Sequence, residues 1–550
     1  MIKLAAVLLI ALLVYSLPFI YSDQIVSPDD FIFLHFARHL GEEGGLTYPV
    51  QGDELFGLSG FTPRYFVYHS PGLTMPRKFP GFILFWSLFF RFLPFSVGGV
   101  EAAKLVNPVC ALIALALLFL IAKTLFNDER RALASVCLLA SAPIFIKRSF
   151  AYNPTLFNAA VFLAALYFLL RALERRSTAD YLFFGLAAGA FLWVRPTSAV
   201  YLAGFVFFIL LERKRIRWRG LLAAVVPILA LGVGLLIFNR HYYGSFSQIG
   251  YTVSHQPLDA PLETGFRTGL VRILDYLRFH PSTWFAHVGA APVSLTIGFP
   301  LLALALAGFF LPREEEESRI RFRSFFLCLL VIAVAFFANF STYGYKERGM
   351  TLHSSFLRYL VPVFCLMPLF TVRLLGRLRF NFTRAVSILA AFNLVFALVA
   401  PFGMVETVLL SRYYDDCKNF LLKETDPSTI FFSIYWDKLV YPERMVFTRG
   451  RHVAPEKDIL EVIEVVIGEG YGAAYPYHPS DSSTLDYLRS RYRLVELTGP
   501  QKLSFPLNLL TPLLKQQPDI YPLKLYLVEE EIAGDTPAPG ERLLSGEVED

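Results

Sequence analysis

Residues 3–22 read KLAAVLLIALLVYSLPFIYS, and residues 27–49 read SPDDFIFLHFARHLGEEGGLTYP. The first stretch is apolar over about 20 residues, the length that an α-helix needs to cross a bilayer. No small-residue cleavage site follows it, so we predict a retained membrane helix rather than a signal peptide. The second stretch begins with two adjacent acids, Asp29 and Asp30. This order predicts a pair of carboxylates at the rim of the membrane.

The composition extends the membrane interpretation to most of the chain. Of the 550 residues, 55% are hydrophobic and only 17% are charged, whereas soluble domains carry about 25% charged residues. The difference comes from repeated apolar runs of membrane-spanning length. Basic residues cluster between these runs, where membrane proteins place them for topology. The net charge of +6 therefore does not indicate a nucleic-acid partner.

The basic segments between the apolar runs predict the topology. Short loops rich in Lys and Arg stay in the cytoplasm. Such segments lie at 123–131, 171–176, 212–219, 313–323 and 373–384. They all fall on one side only if the short run 80–96, which contains Arg91, does not cross. We therefore predict about eleven spanning helices, a cytoplasmic amino terminus and a first outer loop at 22–79.

The end of the chain has a different composition. Short apolar strand-like stretches alternate there with helical ones, a pattern typical of an α/β domain with a mainly parallel sheet. We predict a mainly α fold: a polytopic membrane helical bundle over 1–408, followed by a small extracytoplasmic α/β domain over 409–550. The second domain lacks a glycine-rich phosphate loop, so we expect a recognition or structural role for it.

The two acids allow two compatible interpretations. Acids are favoured at the amino end of a helix, so Asp29 or Asp30 could cap the helix that follows. That helix is expected to lie on the membrane, with His35, Arg38 and His39 on its polar side. A cap needs only one acid, however. In the functional interpretation, one acid is the general base that takes a proton from an acceptor hydroxyl while a lipid-linked leaving group departs.

Cations at predicted outer helix ends indicate an anionic ligand. Lys147 and Arg148 end one apolar run, Arg195 lies in the turn WVRPTS, and Arg358 precedes Tyr359 in SSFLRYLVP. Such groups often only extend to the membrane interface. The predicted outer face is otherwise poor in basic residues, and arginine suits bidentate contact with phosphate. We therefore predict that these five residues bind a lipid phosphate or pyrophosphate.

These stretches resemble the GT-C superfamily of integral-membrane glycosyltransferases, including the dolichyl-phosphate-mannose- and arabinosyltransferase-like members. In the first outer loop of that family, one or two acids follow helix 1 and precede an amphipathic helix and glycines, as in DDFIFLHFARHLGEEGGLTYP. Less specific resemblances occur in AYNPTLFNAAVFLAALYFLLRA, GLAAGAFLWVRPTSAVYL, FNRHYYGSFSQIGY and FLRYLVPVFCLMPLF.

The resemblance implies a hexosyl- or pentosyltransferase with a polyprenyl-phosphate-linked sugar donor, membrane lipid around it and chemistry on the outer face of a plasma membrane. Asp29 or Asp30 takes the place of the family's base, and inversion at the anomeric carbon is expected. The family has an acid near the position of Asn153, which is an amide here. Asn153, Tyr68 and His69 are expected to line the acceptor or sugar path.

Two questions stay open at the level of sequence. A polytopic transporter or lipid-glycan flippase without transferase activity is the alternative class, although transporters usually place ionisable groups within the membrane. The sugar, the acceptor (protein, lipid or glycan) and a divalent cation are also left open, since no ligand spacing among the acids and histidines argues for a metal.

Overall fold

The structure is a computed structural model of the chain. It describes residues 2–21, 27–56, 61–63, 66–70, 72–97, 100–246, 281–312, 322–340, 352, 355–378, 381–400, 403–433, 436–448, 456–477, 482–500 and 523–531. The chain forms two compact units. The first comprises Met1–Val50 and Tyr65–Asp415, and the second comprises Gln51–Arg64 and Asp416–Lys502 with the last described strand. The division falls close to the predicted boundary at 408/409, but the second unit also includes part of the first loop.

Helices dominate the described residues. They are α1 (Ile2–Tyr21), α2 (Pro28–Glu42), α3 (Gln51–Phe56), α4 (Pro80–Phe92), α5 (Val106–Phe126), α6 (Glu129–Ala140), α7 (Pro143–Ser149), α8 (Thr155–Arg175), α9 (Thr178–Val194), α10 (Ala199–Leu211), α11 (Trp218–Tyr243), α12 (Pro281–Gly298), α13 (Leu302–Phe310), α14 (Phe322–Phe340), α15 (Ser355–Tyr359), α16 (Val361–Phe364), α17 (Met367–Arg377), α18 (Phe382–Val399), α19 (Met404–Lys423), α20 (Asp437–Val440), α21 (Glu456–Gly468) and α22 (Ser482–Arg491).

The strands form three sheets. They are β1 (Tyr48–Pro49), β2 (Phe66–Ser70), β3 (Leu73–Pro76), β4 (Ser96–Val97), β5 (Val100–Glu101), β6 (Ile430–Phe432), β7 (Val446–Phe447), β8 (Ala473–Pro476), β9 (Tyr492–Thr498) and β10 (Lys524–Glu531). The sheet orders are β1-β3-β2, β4-β5 and β7-β6-β8-β10-β9. Only the third belongs to the second unit.

Many helices of the first unit are apolar along their whole length. Among the described residues, five helical segments are long and apolar enough to cross a membrane, or up to seven if two bent helix pairs each count as one span. The bent pairs are α6 with α7, at 64°, and α12 with α13, at 104°. The expected number of eleven spans stays a prediction. Helix α4 has 13 residues, about 20 Å, which is short of a hydrocarbon core about 30 Å thick.

Small residues allow close helix packing in the bundle. Helix α9 packs against α8 and α11, and its Gly185 and Gly189 face α11. A Cβ added at Gly185 lies 2.1 Å from the carbonyl oxygen of Ala224, and one at Gly189 lies 2.7 Å from Leu231. The G-x-x-x-G pattern in α9 therefore lets two backbones approach each other, as is common in membrane helices.

Helix α2 packs against α4 rather than presenting a polar face. A Cβ at Gly41 would lie 2.6 Å from the carbonyl oxygen of Ser87, so this glycine serves the α2–α4 contact and does not stop the helix. The stop comes at Gly44, where φ is +84°. His39 is buried, and Arg38 is about 39% exposed at its side chain. The expectation of a polar side on the membrane is thus wrong for His39, because its ring packs against that of Tyr48 in β1, with the centroids 4.9 Å apart, and its Nε2 lies 2.9 Å from the backbone oxygen of Thr47.

The second unit contains a mixed sheet rather than the mainly parallel sheet that we predicted. Strand β6 pairs in parallel with β7 and β8, whereas β10 pairs antiparallel with β8 and β9. The alternation of strand-like and helical stretches predicts the elements, but the direction of β10 depends on the distant strands with which it pairs. Phe61 extends the core, with its ring 5.3 Å from that of Phe447.

Candidate active site

Ser27 caps the amino end of α2. Its Oγ accepts a hydrogen bond from the backbone N–H of Asp29, at 3.2 Å, and Pro28 occupies the first turn, where no backbone donor is needed. The interpretation that Asp29 or Asp30 caps this helix is therefore wrong. Because the serine does the capping, both carboxylates are available for contacts outside α2. Their charge still suits the positive end of the helix dipole.

Asp29 lies between two cations. Its Oδ1 is 2.7 Å from Nζ of Lys78, and its Oδ2 accepts a hydrogen bond from Nη1 of Arg358 at 3.1 Å. Lys78 follows β3 and Arg358 belongs to α15, so distant parts of the sequence meet at this carboxylate. Burial raises the pKa of Asp29, but the two cations lower it by more, and the resulting pKa lies well below the usual range. Asp29 is therefore ionised at neutral pH.

Asp30 is buried and belongs to a different network. Its Oδ1 accepts a hydrogen bond from Nδ2 of Asn153, at 3.2 Å. Oδ1 of Asn153 accepts from the backbone N–H and the hydroxyl of Thr155, at 3.2 and 2.6 Å, so its amide is held in one orientation. Asn107 donates to the backbone oxygen of Asn153. Burial and the charge of Asp29 raise the pKa of Asp30, partly opposed by its hydrogen bonds.

Tyr359 is held between aromatic and guanidinium groups. The guanidinium of Arg195 lies 4.6 Å from the centre of the Tyr359 ring, and that of Arg358 lies 5.5 Å from it. The ring also stacks on Phe337, with the centroids 4.9 Å apart. The hydroxyl of Tyr201 donates to the backbone oxygen of Tyr359 at 2.5 Å. These cation–π contacts bring Arg195, Arg358 and Tyr359 together, as the phosphate-site prediction requires.

Lys147 and Arg148 lie inside the first unit. They belong to α7, and they are only 5% and 3% exposed. Nζ of Lys147 donates to the hydroxyl of Thr407, and Nη2 of Arg148 donates to the backbone oxygen of Leu352 at 2.9 Å. The alternative that these side chains only extend to the surface is therefore wrong. Both are placed where their charge acts within the protein.

Cations outnumber acids in this region. The charged cluster, as we call it, consists of Lys78, Lys147, Arg148, Arg195 and Arg358 with Asp29, Asp30 and Glu406. Five basic side chains thus meet three acids among the residues that the structure describes. Basic side chains gathered at a largely buried site suit an anionic ligand such as a phosphate. Over the same described part of the chain, no group of three or more His, Cys, Asp or Glu is arranged to hold a metal ion.

Two predicted residues have side chains outside the described part of the chain, and one residue near Asp29 was not predicted. Tyr68 and His69 lie in β2, but their side chains are outside the described residues. Lys78 was missed by the sequence interpretation. The signal was available, because Arg77 and Lys78 form a basic pair in a predicted outer loop, where basic residues are scarce. The pair does not end an apolar run, which is the position where the sequence pattern indicates the other phosphate ligands.

One family model matches part of the chain. Residues 80–243 match a family model described as dolichyl-phosphate-mannose-protein mannosyltransferase. This segment runs from α4 to α11, under a third of the chain, and it contains Lys147, Arg148, Asn153 and Arg195. No curated protein sequence matches the chain at a significant level. Together with the solved structures below, the match confirms the resemblance to the GT-C glycosyltransferases and the predicted polytopic helical fold with a small sheet region.

The fold is similar to that of ArnT from Cupriavidus metallidurans. The crystal structure of ArnT bound to undecaprenyl phosphate is 13% identical to this chain, covers 95% of it and 97% of its own length, and gives a TM-score of 0.54. The apo structure is 12% identical at the same coverage and gives a TM-score of 0.59. At this identity the likeness establishes the fold, over nearly the whole of both chains.

Proposed function

We propose that this protein is a glycosyltransferase that moves a sugar from a polyprenyl-phosphate donor to an acceptor. The observation that carries the proposal is the charged cluster, in which Lys78 and Arg358 hold the two oxygens of one carboxylate, that of Asp29. Two oxygens of a lipid phosphate can engage the same pair of cations. The similar fold of ArnT, solved with undecaprenyl phosphate, and the family match to a dolichyl-phosphate-mannose-dependent group support this ligand.

In this proposal, Lys78 and Arg358 bind the donor phosphate. Both already hold the two oxygens of a carboxylate, and the fork of an arginine suits two phosphate oxygens. Arg195 and Tyr359 form the next layer of the site. As the bond between sugar and phosphate breaks, the leaving phosphate gains negative charge. Fixed cations in a dry site stabilise such developing charge strongly, so the surplus of cations favours the transfer step.

Asp29 is the proposed general base, because its carboxylate is partly exposed whereas Asp30 is buried. The acceptor oxygen attacks the anomeric carbon from the side opposite the phosphate. The new carbon–oxygen bond forms as the bond to the phosphate oxygen breaks. The electron pair goes to the lipid phosphate, and the acceptor proton goes to Asp29. One displacement of this kind inverts the anomeric configuration, and we place it at the outer face of the membrane.

The test is cleavage of a panel of radiolabelled polyprenyl-phosphate sugars by the purified protein in detergent. We expect one donor to yield polyprenyl phosphate and a labelled product of inverted configuration. Lys78→Ala and Arg358→Ala should lower the turnover at least about 100-fold, since each removes a charge that stabilises the transition state. A folded wild type that cleaves no donor of the panel, or retention of configuration, contradicts the proposal.

The broken helix pair α6–α7 favours a second candidate, a transporter or lipid-glycan flippase. Lys147 and Arg148 are buried in α7, next to the 64° bend, and transporters use ionisable groups at interrupted helices. This candidate predicts movement of a labelled lipid-linked sugar across proteoliposome membranes without cleavage of the donor. Movement in the absence of any cleavage would replace the transferase proposal.

A further inference from the structure

The two oxygens of Asp29 each bind a different cation. Oδ1 is held by Lys78 at 2.7 Å and Oδ2 by Arg358 at 3.1 Å. The side chains of the two cations are 7% and 19% exposed, so they are largely withdrawn from water. Two oxygens of one phosphate can engage the same pair of cations, because a carboxylate and a phosphate both present two oxygens to them. The carboxylate therefore occupies the position that the proposed function gives to the donor.

We propose that Asp29 is the resting counter-ion of the phosphate site and becomes a base only when the donor phosphate displaces it from Lys78 and Arg358. The inference rests on the proposed function and adds an order to it, with the donor binding first. It also separates the two acids. Asp29 exchanges partners during the reaction, whereas Asp30 stays bound to Asn153.

Charge supplies the physical reason for such a switch. A carboxylate held by two cations has little affinity for a proton, and the pKa of Asp29 accordingly lies well below the usual range. Once a phosphate takes over the two cations, Asp29 has lost its partners and has gained a second negative neighbour besides Asp30. Both changes raise the proton affinity of a carboxylate. A stronger base then faces the acceptor only in the complex that can react.

The competition has a consequence that an ordinary binding residue does not share. Removing the charge of Asp29 frees Lys78 and Arg358 for the phosphate, so binding of the lipid phosphate should become tighter while transfer is lost. Asp30→Asn is the control for tighter binding that comes only from removing a nearby negative charge. In the described contacts, Asp30 touches neither Lys78 nor Arg358. Asp29→Glu keeps the competing carboxylate and serves as a second control.

The experiment measures the affinity of a sugar-free polyprenyl phosphate for the wild type, Asp29→Asn, Asp30→Asn and Asp29→Glu in detergent. We expect Asp29→Asn to bind at least about 10-fold more tightly than the wild type, Asp30→Asn to change affinity by less than about 3-fold, and Asp29→Glu to stay near the wild type. Asp29→Ala replaces Asp29→Asn if the latter does not fold, with the same expectation.

The outcomes separate this inference from the proposed function. Weaker or unchanged binding in Asp29→Asn, or equal tightening in Asp29→Asn and Asp30→Asn, overturns the switch and leaves the transferase proposal standing. If the wild type itself binds no polyprenyl phosphate and Lys78→Ala changes nothing, the proposed function fails and the switch fails with it.

Discussion

Two neighbouring acids have opposite surroundings in this protein. Asp29 is paired with Lys78 and Arg358, and Asp30 is bonded to the amide of Asn153. The sequence predicts that acids meet cations near the membrane surface, but it does not tell which acid takes which partner. That choice depends on Lys78, Arg358 and Asn153, which come from three distant segments and meet only in the folded chain.

The hydrogen bond between Asp30 and Asn153 gives the first prediction. Asn153→Asp leaves two carboxyl groups about 3.2 Å apart, with no donor between them unless one takes up a proton. This change should cost about 1–3 kcal/mol, the usual penalty of a buried polar group without its partner. Asp30→Asn should cost less, because its amide oxygen can still accept the hydrogen bond from Asn153. The exchange Asp30→Asn with Asn153→Asp restores a donor and an acceptor, and it should recover most of the loss.

Thermal unfolding in detergent checks this prediction for the two single variants and the exchange. Losses that simply add in the double variant would contradict it. In that case the two side chains would not be coupled.

At the scale of single elements, α2 carries a half-buried histidine packed among aromatic rings. The ring of His35 lies 4.6 Å from that of Tyr48 and 5.2 Å from that of Phe66. Burial, followed by the charges of His39 and Arg38, lowers the pKa of His35 to about 3. The folded state therefore keeps this ring neutral in mildly acidic solution, although an unfolded histidine would bind a proton there.

The second prediction is a loss of stability in acid. The unfolded histidine binds a proton as the pH falls below about 6.5, whereas the folded one does not until about pH 3. Lowering the pH between these values therefore lowers the free energy of unfolding. At pH 5 this loss of stability is up to about 2 kcal/mol. His35→Phe should remove it and flatten the unfolding temperature between pH 7 and 5. His241 is exposed and serves as the control, so His241→Phe should lose stability in acid as the wild type does. If the unfolding temperature of His35→Phe falls between pH 7 and 5 as steeply as that of the wild type, the prediction is contradicted.

The contact between α9 and α11 gives the third prediction. Gly185→Ala places a Cβ about 2.1 Å from the carbonyl oxygen of Ala224, so the helices must separate, at a cost of about 1–3 kcal/mol. Gly232→Ala in α11 is a matched control, because no atom lies within 4 Å of its added Cβ. It should be neutral or stabilising by up to about 1 kcal/mol, since alanine favours helix. Equal unfolding temperatures for the two variants would argue against this packing.

The lengths of the apolar runs and the positions of small residues allowed the helices of the first unit to be predicted from the sequence. The apolar runs predicted the long helices, and the G-x-x-x-G pattern at Gly185 and Gly189 is a sequence signal for close helix packing. The role of Gly41 could not be predicted, because a glycine can either end a helix or allow another helix to pack closely against it. Only the position of Ser87 in α4 decides between the two.

At the scale of the whole molecule, the helical bundle was predictable and the sheet order was not. Long apolar runs leave few alternatives to membrane helices, whereas strand order depends on long-range pairing. The direction of β10 is an example, since its partners β8 and β9 are set by tertiary contacts. The meeting of Lys78 and Arg358 at Asp29 was not predictable for a related reason, because the two cations lie in distant segments of the chain.

The fourth prediction concerns orientation. In a cysteine-free background, the exposed positions Glu43 and Lys214 can each be replaced by cysteine. The basic loops predict that Glu43→Cys reacts with a membrane-impermeant maleimide in intact cells, and that Lys214→Cys reacts only after permeabilisation. The reverse labelling would place the acids on the cytoplasmic side and contradict the proposed outer-face chemistry.

The most direct test of the central claim is the single-turnover rate of sugar transfer at saturating donor, measured for the wild type, Asp29→Asn and Asp30→Asn. The account predicts that Asp29→Asn lowers this rate at least about 100-fold, as expected for the loss of a general base, while the donor remains bound. It predicts a smaller loss for Asp30→Asn. A folded Asp29→Asn protein that transfers sugar at nearly the wild-type rate would contradict the account.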